Sequence, residues 1–474
     1  MSKKLYLGID AGGTHTDVAV FDPTSKSVVV SAKAETTHHD LSQGISKALA
    51  ALGRLNWDGG FQAIERFNLS TTLATNSIAE GLSNRIGLIL MGYDRDQEAV
   101  RRLVDELPLA SPVFVAGSHN FYGRQEEPLD EAAIVEAVRA LEARVSGWAV
   151  SGFFSVKNPG HEMRAARLIK TISAKPVTLG RDLTGQLDAV RRAATAALNA
   201  GLVLIINRLL DAVKKSAAEM GLGAAKLMVV KGDGSLVSEE WAREKPIETV
   251  VSGPAAGLVG ARALARGFLS AEEKDLWVLD VGGTTTDMAF VRAGLPAVNP
   301  NGARVGKWKT MTVAVETKTR GLGGDSLTVI DAAGLISLGP RRVLPLCRLA
   351  KTWPEALETL RLQKLLNTPS TAAGYFFVPG TPPEPGLNED ESAILAAMAE
   401  TTPFAMARYA EMLFETGRRF IGLSALSHPS IMVSAFTPTD AMAVLGLYNV
   451  GSREAAALGA ELLGRRLKLS ADQT

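Results

Sequence analysis

The chain has 474 residues, of which 46% are hydrophobic and 21% are charged, values typical of a globular protein with a full core. Its 51 basic and 50 acidic side chains leave a net charge of +1, which argues against a nucleic-acid-binding surface or an acidic tail. The single cysteine excludes an intrachain disulfide; with no signal-peptide pattern and no apolar run near the ~18 residues of a membrane span, we expect a cytoplasmic protein without membrane partners.

Residues 5–35 predict three short strands. LYLGID and TDVAVFD alternate apolar and polar residues, and the turn at Asp22-Pro23 precedes SVVVSAKA. From residue 276 the same order recurs as LWVLD, a GGT turn and TTDMAFV. The chain therefore contains a strand-turn-strand unit twice.

Helical spacing dominates between and after these units. Residues 130–145 place apolar side chains three and four positions apart, with Asp130 as the expected N-cap. Residues 186–220 predict a long helical stretch with a break at Gly201, and residues 453–467 predict a final helix. Strands alternating with helices imply an α/β architecture with mixed sheets.

One segment predicts neither helix nor strand. Residues 367–390 read NTPSTAAGYFFVPGTPPEPGLNED. Prolines and glycines recur along it, which favours a loop or lid rather than a core element.

The repeated unit has the pattern D-x-G-G-T-x-T-D-x-A in both copies, at a constant offset of 270 residues. Its positions are Asp10, Gly12, Gly13, Thr14, Thr16, Asp17 and Ala19 in the first copy, and Asp280, Gly282, Gly283, Thr284, Thr286, Asp287 and Ala289 in the second. Successive glycines let backbone N–H groups approach an anion closely. The alternative is that each glycine pair only forms a hairpin turn, and that Asp17 and Asp287 are structural.

An aspartate beside a phosphate is repelled unless a cation lies between them. Mg²⁺ prefers oxygen ligands and often bridges carboxylate and phosphate. We therefore predict that Asp10 and Asp280 hold Mg²⁺ and that the two turns face each other across the triphosphate of one nucleotide.

Two further segments are candidates for the same cleft. STTLATN (70–76) offers hydroxyl and amide groups that suit a polar ring or carbonyl, with Thr71, Thr72 and Asn76 as predicted substrate contacts. SGPAAG (252–257) places Pro254 at a predicted first helical position, so that free N–H groups could meet an anion. Close helix–sheet packing through small residues is the alternative for SGPAAG, and a helix cap is the alternative for STTLATN.

Asn158, His161 and Glu162 form a polar cluster after a strand-like segment, and Asn158 and His161 complete the predicted substrate contacts. The sequence HEMRA lacks the second histidine of a zinc protease motif. Cys347 has no partner pattern around it and is expected to be a small buried side chain.

Several of these motifs, in this order, resemble the hydantoinase/oxoprolinase family, within the actin, sugar-kinase and Hsp70 ATPase superfamily. The matching stretches are LGIDAGGTHTDVAVFD, STTLATNSIAEG, SVKNPGHEMRAARL, VVSGPAAGLVGA with DVGGTTTDMAFV, and TPTDAMAVLG. The resemblance implies a two-lobed actin-like ATPase fold of the α/β class, with duplicated ribonuclease-H-like cores around a nucleotide cleft. It also implies a boundary near residue 180, which gives an N-terminal region 1–180 and a core region 181–474.

The resemblance further implies that GLGGDS (321–326) packs on the adenosine through Gly323 and Gly324. It implies an ATP-dependent hydrolase subunit that phosphorylates the carbonyl of a hydantoin, 5-oxoproline or lactam so that water opens the ring. In that interpretation Mg²⁺ and ATP lie at Asp10 and Asp280, and one of these two carboxylates orients the nucleophile. A hydantoinase B-like subunit or a homo-oligomer is the expected partner. The alternatives are a carbonyl kinase of the acetone carboxylase subunit type and a nucleotide-dependent activator or switch.

Overall fold

The computed structural model describes residues 4–12, 15–36, 41–79, 81, 84–107, 110–265, 268, 274–305, 307–331, 333–366, 372–381, 386–415, 423, 426–449, 451–465 and 468–474. The chain forms two compact units. The first comprises Met1–Val278 and Ala289–Thr317, and the second comprises Leu279–Met288 and Lys318–Thr474. Residue 180 lies inside the first unit, and the predicted boundary between family regions stays a prediction.

The strands that precede residue 250 all belong to the first unit. They are β1 (Leu5–Ala11), β2 (His15–Asp22), β3 (Ser27–Glu35), β4 (Ile64–Thr71), β5 (Ile86–Met91), β6 (Ala110–Val115), β7 (Ser118–His119), β8 (Gln125–Glu127), β9 (Gly147–Gly152), β10 (Val177–Leu179), β11 (Lys226–Val230) and β12 (Leu236–Ser238). The helices of this unit are α1 (Leu41–Gly53), α2 (Leu73–Ala79), α3 (Glu98–Glu106), α4 (Glu131–Leu141), α5 (Gly160–Ile172), α6 (Gly180–Leu183), α7 (Ala189–Glu219), α8 (Glu239–Glu244) and α9 (Ser252–Ala265). Short 3₁₀ turns span Phe61–Ala63, Glu142–Arg144 and Pro246–Thr249.

The remaining elements follow α9. The strands are β13 (Leu276–Val281), β14 (Thr286–Arg292), β15 (Leu295–Pro296), β16 (Val298–Asn299), β17 (Arg304–Val305), β18 (Trp308–Lys309), β19 (Ala314–Val315), β20 (Thr317–Arg320), β21 (Ser326–Ile330), β22 (Ile336–Arg342), β23 (Leu344–Pro345), β24 (Phe376–Pro379), β25 (Phe404–Ala405) and β26 (Ile431–Ala435). The helices are α10 (Leu346–Thr352), α11 (Glu355–Leu365), α12 (Glu389–Glu400), α13 (Met406–Glu415), α14 (Pro438–Val444) and α15 (Arg453–Gly464). The prediction of an α/β architecture with mixed sheets is confirmed.

The main sheet of the first unit has the strand order β12-β11-β4-β1-β2-β3. Strands β1, β2 and β3 pair antiparallel, whereas β4 lies parallel to β1 and β11 lies parallel to β4. The alternation predicted for β1 and β2 is present as alternating buried and half-buried residues. The carboxyl ends of β1 and β4 therefore lie side by side, which is where parallel sheets commonly form sites.

A second sheet in this unit has the order β10-β9-β5-β6, and every pairing in it is parallel. Both β5 and β9 are buried along their whole length, as expected for parallel strands covered on both faces. The predicted helix at 130–145 is α4, and the carboxylate of Asp130 caps it by accepting a hydrogen bond from Ala133 N.

Helix α7 runs through Gly201 without interruption, so the predicted break there is wrong. The helix stays continuous there because Gly201 and the residues on both sides of it are buried in the packed core. The helix has the length and mean hydropathy, 1.6, of a membrane span, but 78% of its most apolar window is buried inside the structure. It is therefore the core helix of this unit, packed against α1, β5 and β9.

The second copy of the repeated unit forms the same hairpin as the first. Strands β13 and β14 enclose the second GGT turn as β1 and β2 enclose the first. Gly12 N donates to His15 O at 3.1 Å, and Gly282 N donates to Thr285 O at 2.9 Å. The sequence repeat is thus a repeat of local structure.

In the second unit a sheet of order β23-β26-β24-β25 carries the core. Phe376, Phe377 and Val378 of β24 are fully buried, so the prediction of a non-core segment at 367–390 is wrong for this part. These three apolar residues are buried because β24 pairs with β26. The prolines and glycines on both sides of them made the sequence look like a loop. Residues 367–371 and 382–385 lie outside the described part. Helix α15 confirms the predicted final helix up to Gly464.

Candidate active site

Asp10 lies near the carboxyl end of β1 and is half-buried. Strand β4 pairs with β1 so that Ser70 stands opposite Asp10, and Ser70 Oγ donates a hydrogen bond to Asp10 Oδ1 at 2.7 Å. Ser70 was not among the residues predicted from sequence, although it begins the predicted STTLATN motif. A hydroxyl that donates to a carboxylate oxygen restricts the orientation of that side chain.

The predicted hydroxyl-rich motif follows directly. Thr71 ends β4, and its Oγ1 accepts a hydrogen bond from Leu73 N at the start of α2. Thr72 N donates to Ala11 O at 3.2 Å, and Asn76 Nδ2 lies 3.4 Å from Thr72 Oγ1. The motif therefore serves both as a helix start and as the wall beside the first turn, so its two interpretations are compatible.

The SGPAAG motif meets this wall. Ser252 Oγ donates to Thr71 O at 2.9 Å and accepts from Thr71 N at 3.2 Å. A Cβ atom on Gly253 would lie 3.5 Å from Thr72 Cγ2 and 3.9 Å from Asp10 Oδ1. Helix α9 begins at Ser252, two residues before the predicted start, and Gly253 in its first turn lies beside the Asp10 carboxylate. The structure thus gathers Asp10, the hydroxyl motif and SGPAAG into one cluster, which we call the Asp10 cluster.

The residue before this helix has an unusual backbone. Val251 has φ of 65°, a value that is a true outlier for a β-branched residue. Its N–H donates to Thr75 Oγ1 at 3.1 Å. Such strain costs roughly 1–3 kcal/mol and concentrates at functional sites, so the Val251 turn supports a functional role for the Asp10 cluster.

Gly12 forms the first turn together with the hydrogen bond to His15. Its carbonyl accepts a hydrogen bond from Thr36 Oγ1 at 2.9 Å, and a Cβ atom at this position would lie 2.9 Å from His15 O. Glycine is therefore required by the turn itself. The predicted contacts Gly13 and Thr14 lie outside the described residues.

In the second unit, the second turn packs against the GLGGDS loop. Gly324 N donates to Gly282 O at 2.8 Å, and Asp325 N donates to Gly283 O at 2.7 Å. A Cβ atom on Gly323 would lie 2.5 Å from Gly282 O, so only glycine permits this approach. The structure brings the predicted residues of both segments together, alongside Thr284 in the turn. Asp280, at the end of β13, is exposed.

Asp17 and Asp287, the second aspartates of the two repeats, both bond to a neighbouring strand. Asp17 Oδ1 lies 3.0 Å from Lys33 Nζ on β3, and Asp287 Oδ1 accepts from Thr319 Oγ1 on β20 at 2.5 Å. These contacts support the structural interpretation that the sequence left open.

The structure places Asn158 in a different set of contacts. Its Nδ2 donates to Gly123 O at 2.9 Å, and its Oδ1 accepts from Gly160 N at 2.9 Å. It joins the turn after β9 to the loop between β7 and β8, and none of these contacts involves the Asp10 cluster. Asn158 thus has a clear structural role, and substrate contact stays a prediction.

His161 is buried against His119, with ring centroids 4.1 Å apart. Burial lowers the pKa of both imidazoles, and His161 lowers the pKa of His119 further. Glu162, which follows, is buried and accepts hydrogen bonds from Gly152 N and Arg181 N. Burial raises the pKa of Glu162 against the effect of these bonds. The contact between the His119 and His161 rings packs the β7–β8 hairpin onto α5.

Cys347 and Asp440 form a second buried polar contact, in the second unit. The Asp440 carboxylate accepts hydrogen bonds from Leu346 N and Cys347 N, and burial raises its pKa. Burial also raises the pKa of the Cys347 thiol, so this cysteine is a poor nucleophile. The prediction of a small buried side chain is confirmed.

The described residues suit an Mg²⁺ ion that is held jointly by a protein carboxylate and the phosphates of a nucleotide. Among them, no group of three or more His, Cys, Asp or Glu side chains could hold a metal ion by itself. Mg²⁺ bound with nucleotides commonly uses one or two carboxylates, phosphate oxygens and waters. A single carboxylate such as that of Asp10, oriented by Ser70, meets this requirement.

Comparison with known proteins gives a consistent result. Family models described as the hydantoinase/oxoprolinase N-terminal region and as hydantoinase/oxoprolinase match residues 6–173 and 192–344. Caprolactamase subunit alpha of Pseudomonas jessenii is 27% identical over 72% of this chain and 51% of its own length. The acetophenone carboxylase gamma subunit of Aromatoleum aromaticum is 28% identical over 71% of this chain and 49% of its own.

The chain therefore spans about half the length of these two relatives. The crystal structure of ATP-dependent caprolactamase from Pseudomonas jessenii matches 98% of this chain and 67% of that one, with a TM-score of 0.59 and 22% identity. This likeness shows that the two chains share a fold.

Proposed function

Because the chain belongs to the hydantoinase/oxoprolinase family, we propose that it uses ATP to phosphorylate the carbonyl oxygen of a small cyclic amide. The observation that carries the proposal is the Asp10 cluster, where a carboxylate, several hydroxyls and a helix start converge. Mg²⁺ at Asp10 would neutralise charge on the phosphates during transfer. The proposal includes a cytoplasmic location.

The first unit supports an ATPase fold. Within its six-stranded sheet, the consecutive strands β3-β2-β1-β4-β11 comprise three antiparallel strands followed by two parallel ones, an order that supports a ribonuclease-H-like core. We propose that the unit is one of the two cores of an actin-like ATPase. That the two GGT turns share one nucleotide stays a prediction.

The reaction balances as follows. The carbonyl oxygen of the amide attacks the γ-phosphorus, an O–P bond forms, and ADP leaves with the electrons of the broken bond. Water then adds to the activated carbon, the ring C–N bond breaks as the nitrogen takes up a proton, and a second water releases phosphate. The protein's part is to position the reactants and to stabilise the developing charge.

Within the first unit, each group has a defined contribution. Ser70 holds the Asp10 carboxylate in one orientation. The first turn of α9, with Gly253 close to Asp10, presents backbone N–H groups that suit an anion. Thr72, just before α2, and Asn76 on α2 offer polar contacts to a ring or carbonyl.

The test combines the chain with the partner subunit proposed below, measures phosphate release from ATP and Mg²⁺ with a panel of hydantoins, lactams and 5-oxoproline, and follows the ring-opened product by mass spectrometry. We expect at least one amide to raise turnover and to yield an opened ring. If no amide raises the rate above its unstimulated level, the substrate part of the proposal fails. Chelation of Mg²⁺ with EDTA is expected to stop turnover.

A partner subunit is part of the proposal, because the relatives with these motifs are named as subunits. We expect that a hydantoinase B-like subunit is needed for ring opening, whereas ATP binding belongs to this chain. The likeness to a carboxylase subunit favours a second candidate, a carbonyl kinase. A phosphorylated product formed without C–N cleavage, in the presence of the partner, would favour this second candidate.

A further inference from the structure

A cavity of about 530 Å³ lies in the first unit, away from the residues described above as the Asp10 cluster. Two of its lining residues, Phe153 and Phe154, lie at the carboxyl end of the parallel strand β9. The lining residues are Gln97, Ala99, Arg102, Leu103, Phe153, Phe154, Leu187, Asp188, Ala189, Val190, Arg191 and Trp308. Ligands of parallel α/β sheets bind at this edge, and the volume is within the usual range of about 300–1,000 Å³ for small-molecule sites.

Aromatic rings form much of the wall. Phe153 and Phe154 come directly after β9, and their rings meet edge to face with centroids 5.0 Å apart. Tyr93 packs against Phe153 in a second edge-to-face contact, with ring centroids 5.3 Å apart. Trp308, which is half-buried, adds a third lining ring from β18. The three rings give the cavity an aromatic surface, which favours contact with an apolar group.

The charged groups of the lining are already engaged. Arg191 donates from Nη2 to Asn301 O and to Thr310 O, and its Nη1 lies 3.8 Å from the Asp188 carboxylate. Arg102 Nε lies 3.4 Å from Glu106 Oε1 in a solvent-exposed pair, where water screens the charge. Binding a carboxylate at Arg191 would have to compete with the contacts of that side chain, so this part of the lining suits an uncharged ligand.

One wall of the cavity is also connected to the Asp10 cluster. Trp308 belongs to the β17–β18 hairpin, in which Val305 pairs with Trp308. Strand β17 contacts helix α2, the helix that carries Asn76. A ligand that packs on Trp308 therefore contacts the same hairpin that packs against α2.

We propose that this cavity binds the apolar ring or side chain of an uncharged cyclic amide. The inference rests on the proposed function for the identity of the ligand as substrate. It adds a substrate class, in which hydantoins and lactams with aryl or alkyl groups are preferred over 5-oxoproline, whose carboxylate is charged at neutral pH.

The experiment measures binding without nucleotide, by isothermal titration calorimetry on the full chain. The probes are 5-benzylhydantoin and 5-oxoproline. We expect 5-benzylhydantoin to bind at least about tenfold more tightly, since burying its phenyl group against the aromatic lining is favourable. Trp308→Ala should weaken its binding by at least about tenfold.

Two further variants distinguish a loss of the binding surface from a folding defect caused by Trp308→Ala. Ala99 is exposed on α3 at the cavity rim, so Ala99→Trp should narrow the entrance without disturbing the core, and should also weaken binding. Trp241→Ala is the matched control, because Trp241 is exposed on α8, where Lys245 covers its ring at 4.0 Å. It should bind 5-benzylhydantoin as the parent chain does.

Each outcome decides one claim. Binding that Trp308→Ala and Ala99→Trp both weaken supports the cavity, even if no amide stimulates ATP turnover, and then only the proposed function fails. Absence of binding, or binding that neither variant changes, overturns the inference. Turnover stimulated by 5-oxoproline more than by 5-benzylhydantoin overturns the substrate preference and leaves the proposed function intact.

Discussion

Ser252 and Thr71, 181 residues apart, are joined by two hydrogen bonds through one hydroxyl group. Ser252 Oγ donates to the carbonyl of Thr71 and accepts from its N–H. Both residues are buried, so no water replaces these bonds when the hydroxyl is removed. The contact fixes the start of α9 against the end of β4, beside Asp10.

Ser252→Ala is therefore expected to leave two buried backbone groups of Thr71 without this partner. The free energy of unfolding should fall by about 1–3 kcal/mol, and ATP turnover should fall because α9 loses its anchor. Urea unfolding measures the first effect and phosphate release the second. Ser25→Ala is the control, since its hydroxyl bonds only to Ser27 Oγ in an exposed turn. A change in stability no larger than that of the control would refute the role of Ser252.

The two carboxylates proposed to hold Mg²⁺ are tested by Asp10→Asn and Asp280→Asn. Each should lower Mg²⁺-dependent ATP turnover at least about tenfold with the fold intact, because the amide lacks the charge that binds the cation. Circular dichroism checks the fold. Asp17→Asn and Asp287→Asn, the other aspartates of the two repeats, should lower turnover far less, since they bond to neighbouring strands. Unchanged turnover in both Asp10→Asn and Asp280→Asn would refute the prediction that these carboxylates hold Mg²⁺ at the phosphates.

The close packing of the GLGGDS loop on the second turn is tested by Gly323→Ala. Its Cβ atom would lie 2.5 Å from Gly282 O, so the loop must move away from the turn. We expect a loss of about 1–3 kcal/mol in the free energy of unfolding and weaker ATP binding. Gly321→Ala, in the same loop, is the control, because its Cβ atom would meet no other atom within 4 Å. Equal behaviour of the two variants would contradict the steric argument.

The His119–His161 pair predicts a pH dependence of stability. Burial lowers the pKa of both rings in the folded state. As the pH falls below about 6.5, the unfolded chain takes up protons that the folded chain resists, so the free energy of unfolding decreases. His119→Phe keeps a ring of similar size but cannot titrate.

We therefore expect the urea midpoint of His119→Phe to fall less between pH 7.5 and pH 5.5 than that of the parent chain. The comparison at pH 7.5, where the imidazoles are largely neutral in both states, measures the packing effect alone. An equal fall in the two proteins would show that this pair does not titrate in the way proposed.

Local patterns made part of this structure predictable. The alternation of LYLGID and TDVAVFD is a property of each strand, and the turn between them depends on adjacent glycines. The duplicated hairpin, helix α4 with its Asp130 cap, and α15 were therefore predictable. Helix α7 was predicted with a wrong break, because its packing outweighs the helix-breaking tendency of Gly201.

Contacts between distant segments were less predictable. Ser70 became visible as the partner of Asp10 only when β4 was found paired in parallel with β1. The burial of β24 likewise depends on its pairing with β26. No pattern in the cavity lining would indicate that Phe153 and Trp308 share a wall, since they come from separate elements.

The sequence by itself determined the repeated glycine-rich hairpin, the order of the family motifs and the residue types suited to phosphate chemistry, because these depend on neighbouring residues and on motif spacing. Only the tertiary structure decided which motifs meet: the hydroxyl wall with α9, and the GLGGDS loop with the second turn. The physical reason is that strand order and helix packing minimise the free energy of the whole chain, so contacts across 60 or 181 residues are not encoded in any short segment.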